Sequence, residues 1–175
     1  CTKNQPPAEP PPGNTVIYYD KNSSTQVVSQ IFKYDGIIET NLTNDLTYNY
    51  WWVRVSADKT KFLCYRSPKV NNNYLDNKSN DYANADLMVF NIDGTNPKVI
   101  IQKGKYGWSE QGVAKFSPDG TKILMAALCT DPARGSNDLH WRLVITDING
   151  NNPKIISTRN SLFADPAWSP DGKKI

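Results

Sequence analysis

Short apolar runs alternate with turn-forming residues along most of the chain. Three stretches share one pattern: an apolar strand, a turn built from Asp, Asn, Gly, Ser or Pro, and a second strand with β-branched residues. The Asp93-Gly94 and Asn149-Gly150 pairs are strong hairpin signals because both residue types tolerate the positive φ of tight turns. The pattern predicts three hairpins, at 16–30, 88–102 and 144–158.

A second repeated stretch lies between these hairpins and contains a Ser-x-Asp turn. In "SPDG", Ser suits the first position of a type I turn, Pro has its φ already near −65°, and Gly accepts a left-handed conformation. We therefore assign the aspartates to turns rather than to catalysis. The stretch occurs at 52–65, 113–126 and 166–175, and the predicted turn residues are Ser117, Pro118, Asp119, Gly120, Ser169, Pro170, Asp171 and Gly172.

The order of these stretches gives four strands per unit. The second strand of a unit, "KILMAAL" at 122–128, is apolar on both sides, whereas a strand with one wet face would alternate. Small antiparallel sheets stacked face to face bury both sides of such a strand. The sequence therefore predicts an all-β fold, a β-propeller of four-stranded antiparallel blades.

The predicted division of the chain has two parts. Residues 1–14 are expected to form a tether, and residues 15–175 a partial propeller with the outer hairpin of one blade, two full blades and the start of a fourth unit. Residues 31–50 are assigned to a long insertion before the first inner strand. Since a ring needs roughly four to eight blades, we expect this chain to hold only part of one.

Two near-identical motifs carry a family resemblance. "FSPDGTKI" at 116–123 and "WSPDGKKI" at 168–175, joined to "NIDGTNPKVI" and "DINGNNPKII", resemble the β-propeller repeats of the TolB type. The resemblance covers nearly everything from Val16 to Ile175, although the first unit has "SADKT" in place of "SPDGT". It implies a fold but several functions, because such repeats occur in TolB, a periplasmic interaction protein, in prolyl-oligopeptidase-type peptidases, in envelope proteins fused to peptidoglycan-binding domains and in oligogalacturonate lyases.

Charge and hydropathy exclude two classes of partner or location. The net charge of +3 arises from 20 basic and 17 acidic residues with both signs mixed, so no basic stripe is available to follow a row of phosphates. We therefore expect no nucleic-acid partner. No segment approaches the roughly 18 consecutive apolar residues that indicate a membrane-spanning helix.

The first residue, Cys1, precedes the proline-rich stretch "TKNQPPAEPPPG". This start resembles a mature bacterial lipoprotein, in which the first cysteine carries the acyl chains. The resemblance implies a lipid anchor at Cys1, a semi-rigid spacer of about 3.1 Å per residue and a place at the bacterial outer membrane, facing the periplasm or the cell surface. The alternative is a numbering that starts at a proteolytic boundary. Cys64 and Cys129 are either bridged or two small buried hydrophobic residues.

Candidate binding residues lie in the long connections, at the blade end opposite the tight turns. Long loops on a rigid scaffold are where recognition usually occurs. Tyr, Trp and Arg commonly anchor protein interfaces, and the aromatic residues could also stack on sugar rings. For two of the aromatic residues, Trp108 and Phe163, packing between blades is an equal alternative. The predicted partner-binding residues are Tyr74, Tyr82, Tyr106, Trp108, Arg134, His140, Arg159 and Phe163.

The sequence offers no catalytic constellation. His140 is the only histidine, and no G-x-S-x-G elbow is present. We therefore predict no catalytic residue, no metal and no cofactor. A calcium site at Asp76, Asp81 and Asp86 is a weaker alternative, because their spacing is not that of an EF-hand loop.

These observations lead to one expected function and two alternatives. We expect a non-catalytic, lipid-anchored cell-envelope protein whose propeller is a binding platform for another envelope protein or an outer-membrane complex. One alternative is the propeller domain of an envelope enzyme, either a prolyl-oligopeptidase-type peptidase with its catalytic domain past residue 175 or a polysaccharide-active protein. The other is a surface glycan-binding protein.

Overall fold

The computed structural model describes residues 15–22, 28–69, 81–157 and 165–175. Within these ranges eleven strands form three antiparallel sheets, and the only helical segments are two single 3-10 turns, Tyr82–Asn84 and Pro132–Arg134. The predicted all-β fold of antiparallel sheets is confirmed. In the same ranges, no helix has the length and apolar character needed to cross a membrane.

Each sheet follows the order of the chain, so strands that are neighbours in a sheet are also consecutive in the sequence. The first sheet contains β1 (Ile17–Asn22), β2 (Ser29–Tyr34) and β3 (Glu39–Asn41). The second contains β4 (Tyr48–Val55), β5 (Lys61–Pro68), β6 (Asp86–Asn91) and β7 (Lys98–Ile101). The third contains β8 (Glu110–Phe116), β9 (Lys122–Asp131), β10 (Ser136–Asp147) and β11 (Lys154–Ile155).

Two hydrophobic clusters join the three sheets. Ile31, Leu42 and Phe62 belong to the cluster between the first and second sheets. Trp51 and Met125 belong to the larger cluster between the second and third sheets. Because the second sheet contributes to both clusters, its strands are apolar on both faces, as stacked blades require.

The first sheet differs from the sequence prediction by one strand. A Cβ on Gly94, in the β6–β7 turn, would lie 2.5 Å from the carbonyl oxygen of Leu42, which directly follows β3. A Cβ on Gly150, in the β10–β11 turn, would lie 2.7 Å from the carbonyl oxygen of Ile100 in β7. In both cases the turn before the last strand of a sheet contacts the end of the preceding sheet. The position of β3 in the first sheet therefore corresponds to that of β7 in the second.

A matching pair of stacked rings supports this equivalence. Tyr19 of β1 stacks on Phe32 of β2, and Phe62 of β5 stacks on Phe90 of β6. The three strands of the first sheet thus correspond to the last three strands of a four-stranded blade. The matching of 16–30 with the outer hairpins is corrected accordingly, and residues 31–50 contain the end of β2, all of β3 and the start of β4 rather than an insertion.

The Ser-x-Asp turns form where the sequence places them. The backbone N–H of Gly120 donates to the carbonyl of Ser117 at 2.9 Å, and Gly120 has φ +69. The Ser117 hydroxyl donates to Asp119 Oδ1, and this hydrogen bond is the main reason why the pKa of Asp119 is lowered to about 2. The turn at 169–172 has the same hydrogen bonds, but residues 165–175 contribute no strand to the described structure.

The alternation of strand direction gives each sheet two ends. The β4–β5, β6–β7, β8–β9 and β10–β11 turns lie at one end of their sheets, which we call the turn face. The opposite ends of the strands, with residues 81–85, 102–109 and 132–135, form the loop face; Lys105 and Tyr106 also reach the β10–β11 turn of the next sheet. Because β2–β3 corresponds to β6–β7, the turn at 35–38 belongs to the turn face.

Candidate functional site

A small cleft on the loop face brings two of the predicted binding residues together. It lies between the 3-10 turn at Tyr82–Asn84 and the connection 102–109, and both Tyr82 and Trp108 line it. The cleft encloses about 10 Å³, which is the space of roughly one water molecule. Its geometry therefore suits one inserted polar group rather than a whole small molecule, since small-molecule sites are usually about 300–1,000 Å³.

Gln111 of β8 forms the polar wall of this cleft. Its side chain is buried, with 4% of its surface exposed, and Nε2 donates to the carbonyl of Ala85 at 2.6 Å. Within the described part of the chain, Oε1 has no hydrogen-bond partner. An unsatisfied buried acceptor costs roughly 1–3 kcal/mol, so a water molecule or an N–H or O–H group from a ligand would be stabilised there.

Tyr82 is held in place by two packing contacts of its ring. Its ring packs edge-on against Trp51, with centroids 6.2 Å apart. It also lies against Gly112, where a Cβ would approach the ring to 2.9 Å. Burial, and secondarily the charge of Asp20, raises the pKa of Tyr82, so its phenol stays neutral and able to donate at physiological pH.

The rings of Trp108 and Tyr106 are in contact, but the two residues have different neighbours. Their ring centroids are 4.9 Å apart, and both rings pack against the core between the second and third sheets. The Tyr106 hydroxyl donates to the carbonyl of Gly150 at 2.7 Å, which ties the connection to the third sheet. Trp108 therefore combines packing between sheets with a place in the cleft wall, whereas Tyr106 is bound to the β10–β11 turn.

Charges of both signs surround the mouth of the cleft. Lys103 and Glu110 line it, and the backbone N–H of Lys103 donates to Asp86 Oδ1 at 2.9 Å. The other carboxylate oxygen of Asp86 accepts from Arg66 Nε at 3.2 Å. This chain of contacts fixes the start of the connection to β5 and β6, so the cleft rests on rigid strands.

The remaining predicted site residues are not gathered at this cleft. His140 is half-buried in β10, opposite Cys129 of β9, and does not line the cleft. Arg134 lies in the second 3-10 turn, and its side chain is outside the described structure. Cys1, Tyr74, Arg159 and Phe163 also lie outside the described residues.

The two internal cysteines are free thiols in the structure. Both Cys64 and Cys129 are buried, and burial raises the pKa of each thiol. Cys64 and Cys129 are therefore small buried residues and do not form a disulfide. In the described ranges, no group of three or more His, Cys, Asp or Glu side chains is arranged to hold a metal ion.

The turn face has more side-chain surface than its tight turns suggest. One groove of about 310 Å³ lies between the turns at Asp58 and Asp119, with Phe116 and Ile148 in its wall. A second, of about 330 Å³, lies between Asp119 and the turn at 169–172. The Asp58 and Asp119 carboxylates each accept hydrogen bonds from Ser and Thr of their own turn, so they are already engaged in the turns that they shape.

Gln111 is the functional candidate that the sequence did not indicate. The residues on either side of Gln111, Glu110 and Gly112, give no alternation of apolar and polar residues from which its burial could be predicted. Its burial depends on the second sheet, whose Ala85 lies 26 residues earlier and supplies the accepting carbonyl. Tyr82 and Trp108 could be named in advance because their residue types are common in interfaces.

Comparison with known proteins identifies the fold. No family model matches the chain, and no curated protein matches it by sequence. TolB from Acinetobacter baumannii superposes with a TM-score of 0.58 at 18% identity, over 90% of this chain and 33% of its own. A TolB from Agrobacterium tumefaciens gives 0.58 at 19% identity, over 90% of this chain and 51% of its own. A prolyl endopeptidase gives 0.57 at 19% identity, over 95% of this chain and 25% of its own.

At these identities the likeness concerns the fold and not the activity. The chain spans a third of one TolB chain and about half of the other. Its two four-stranded sheets and one three-stranded sheet therefore correspond to part of such a domain. The chain has the TolB-like β-propeller fold, of which it contains a part.

Proposed function

We propose that this chain is a non-catalytic, lipid-anchored protein of the bacterial cell envelope, and that its propeller binds another envelope protein through the loop face. The observation that carries the proposal is the cleft beside Gln111. A buried acceptor with no partner in the described structure lies between two aromatic residues. One N–H or O–H group of a partner could donate the missing hydrogen bond to this acceptor. The small volume of the cleft argues against a substrate pocket.

The rigid surroundings of the cleft also favour protein recognition. Tyr82 and Trp108 both pack against buried residues, so little side-chain entropy remains to be lost on binding. Aromatic anchors at the centre of a mixed-charge rim are typical of protein interfaces. Lys103 and Glu110 supply both signs of charge at that rim.

Site-specific photo-crosslinking tests the binding surface. A photoreactive phenylalanine replaces Lys103 at the mouth of the cleft, and in a matched control it replaces Lys59, an exposed lysine of the turn face. In intact cells we expect one dominant protein adduct from position 103 and none of the same mass from position 59. Equal adducts at both positions, or none at position 103, would contradict the proposal.

The lipid anchor is a separate part of the proposal with its own measurement. It rests on Cys1 and on the proline-rich residues that follow, which lie outside the described structure. Intact mass analysis of the protein from its native membrane should show acyl chains on Cys1. An unmodified Cys1 would remove the anchor from the proposal and leave the loop-face cleft untouched.

The likeness to a prolyl endopeptidase supports a second candidate, the propeller domain of an envelope peptidase. The open reading frame that encodes this chain distinguishes the two candidates. A G-x-S-x-G region after residue 175 would favour the peptidase, and further Ser-Pro-Asp-Gly units without such a region would favour the platform. For a glycan-binding role, titration calorimetry with neutral and acidic oligosaccharides is the corresponding test.

A further inference from the structure

Both lysines at the loop-face cleft donate to acceptors outside it. Lys103 Nζ donates to Asn84 Oδ1. Lys105 Nζ donates to Asn151 Oδ1 at 3.1 Å and lies 5.1 Å from the centre of the Tyr106 ring. Although both lysines line the cleft, their ammonium groups are therefore engaged elsewhere. The acceptors of the cleft remain available to a donor from another molecule.

Two side chains supply these acceptors. Gln111 Oε1 is buried and has no hydrogen-bond partner within the described ranges. Glu110, at the mouth, is half-buried and forms no ion pair with any other residue that the structure describes. A hydrogen bond is stronger when its donor is charged, and a nearby carboxylate offsets the desolvation of a cation. The two acceptors therefore favour a cationic donor over a neutral one.

The volume of the cleft limits which cation can enter. It encloses about 10 Å³, the space of roughly one water molecule. The ammonium group of lysine is a compact donor, whereas the guanidinium group of arginine is a planar fork with five N–H donors. A lysine ammonium group therefore fits the cleft, and an arginine guanidinium group is too large for it.

The aromatic walls suit the rest of a lysine side chain. Tyr82 and Trp108 are half-buried, and both line the cleft. Aromatic rings attract cations, and the methylene stem of lysine packs on apolar surface while its charged end reaches a polar group. Both rings also pack against buried residues, so a lysine stem would meet an ordered surface.

We propose that the loop-face cleft binds the ammonium group of a lysine side chain from the partner protein. The ammonium group donates to Gln111 Oε1, the Glu110 carboxylate balances its charge, and the stem lies against Tyr82 and Trp108. This proposal rests on the protein-binding function proposed for the loop face, and it names the chemical group that the partner presents. It predicts that lysine is preferred to arginine and to an uncharged donor.

Small molecules that copy a side chain test the proposal without a partner protein. The probes are n-butylammonium for lysine, n-propylguanidinium for arginine and 1-butanol for an uncharged donor, all at constant chloride concentration. Nuclear magnetic resonance follows the indole N–H of Trp108 and the side-chain amide of Gln111. Gln111→Met removes the buried acceptor, and Glu110→Gln removes the charge at the mouth. Asp138→Asn is the matched control, because Asp138 is an exposed carboxylate that does not line the cleft.

We expect n-butylammonium to bind at least about tenfold more tightly than either other probe, because only this probe joins a charge to a donor of the right size. Gln111→Met should weaken its binding at least about tenfold, Glu110→Gln about threefold, and Asp138→Asn should leave it unchanged. An unchanged thermal midpoint shows that a variant keeps the fold. If Gln111→Met does not keep it, the order of the three probes on the unaltered chain decides. Equal binding of n-butylammonium and n-propylguanidinium, no binding of n-butylammonium, or full binding by a folded Gln111→Met variant overturns the proposal.

The photo-crosslinking experiment at position 103 separates this proposal from the function on which it rests. No protein adduct from that position, or an adduct with an amine-bearing lipid, would refute the partner protein even if n-butylammonium binds. A protein adduct without binding of n-butylammonium would refute the lysine and leave the binding platform intact.

Discussion

Two ring pairs occupy the same place in neighbouring sheets but face different surroundings. In the second sheet, Phe62 and Phe90 stack with centroids 4.9 Å apart and are buried against the first sheet. In the first sheet, Tyr19 and Phe32 stack at 6.1 Å on the face that points away from the second sheet. The fold position is shared, so the difference in residue type reports the difference in environment.

The polar side chains around Tyr19 show what that environment is. Lys21, whose equivalent in the second sheet is the fully buried Cys64, lies 4.5 Å above the centre of the Phe32 ring. Lys21 and Tyr19 both donate to the carboxylate of Glu39. Next to its stacked rings the first sheet therefore has an ion pair, whereas next to Phe62 and Phe90 the second sheet has the buried Cys64 and Met88.

The largest expected effect of the comparison is on stability. Replacing Phe62 with Ala removes a fully buried ring, and we expect a loss of about 3–5 kcal/mol in the free energy of unfolding. Tyr19→Ala removes a partly exposed ring, and we expect about 1 kcal/mol or less. Urea denaturation measures both variants. Equal losses would mean that the two faces are not different in burial.

A second contrast concerns the turn glycines. A Cβ on Gly94 would lie 2.5 Å from a backbone oxygen of the first sheet, and a Cβ on Gly36 would meet no atom within 4 Å. Both residues have positive φ, so both alanine variants are strained by about 1 kcal/mol. Gly94→Ala must also move backbone, and we expect a total of about 3 kcal/mol. Thermal or urea unfolding that ranked Gly36→Ala as the worse variant would refute the assigned stacking of the sheets.

The smallest expected effect is a titration shift in the first sheet. The hydrogen bond to Glu39 is the main reason that the pKa of Tyr19 is raised to about 12. Since the folded pKa lies above the usual 10, this contribution to stability is present below pH 10 and is lost as the pH rises through 12. In Glu39→Gln the pKa should fall back toward 10, as followed by the ultraviolet absorbance of tyrosinate. A Tyr19 pKa that did not change would contradict the observed contact.

The sequence predicted the turns well because their chemistry is local. Ser117 and Asp119 bond to each other within one turn, and Asp93-Gly94 closes its hairpin with residues a few positions apart. A local pattern is complete in the sequence itself. The fold class followed from the spacing of such turns and from the apolar strands between them.

The first sheet was misassigned because its turn lacks part of that local pattern. Asp35-Gly36 is a hairpin signal, but Ile37-Ile38 follows it where the other turns have polar residues, and the repeat pattern therefore predicts an insertion over 31–50. The place of β3 follows from contacts in space, above all that of Leu42 with Gly94 of the next sheet. Gln111 was missed for a similar reason, because its burial depends on the stacking of two sheets.

The most direct measurement compares two positions at opposite ends of the second sheet. A photoreactive phenylalanine is placed at Lys103, in the wall of the loop-face cleft, in one sample and at Lys59, in the β4–β5 turn, in another. Irradiation of intact cells, followed by mass analysis of the adducts, reports which end meets a protein partner. Binding through the loop face predicts a dominant protein adduct at 103 only; equal adducts at both positions, or none at 103, would contradict it.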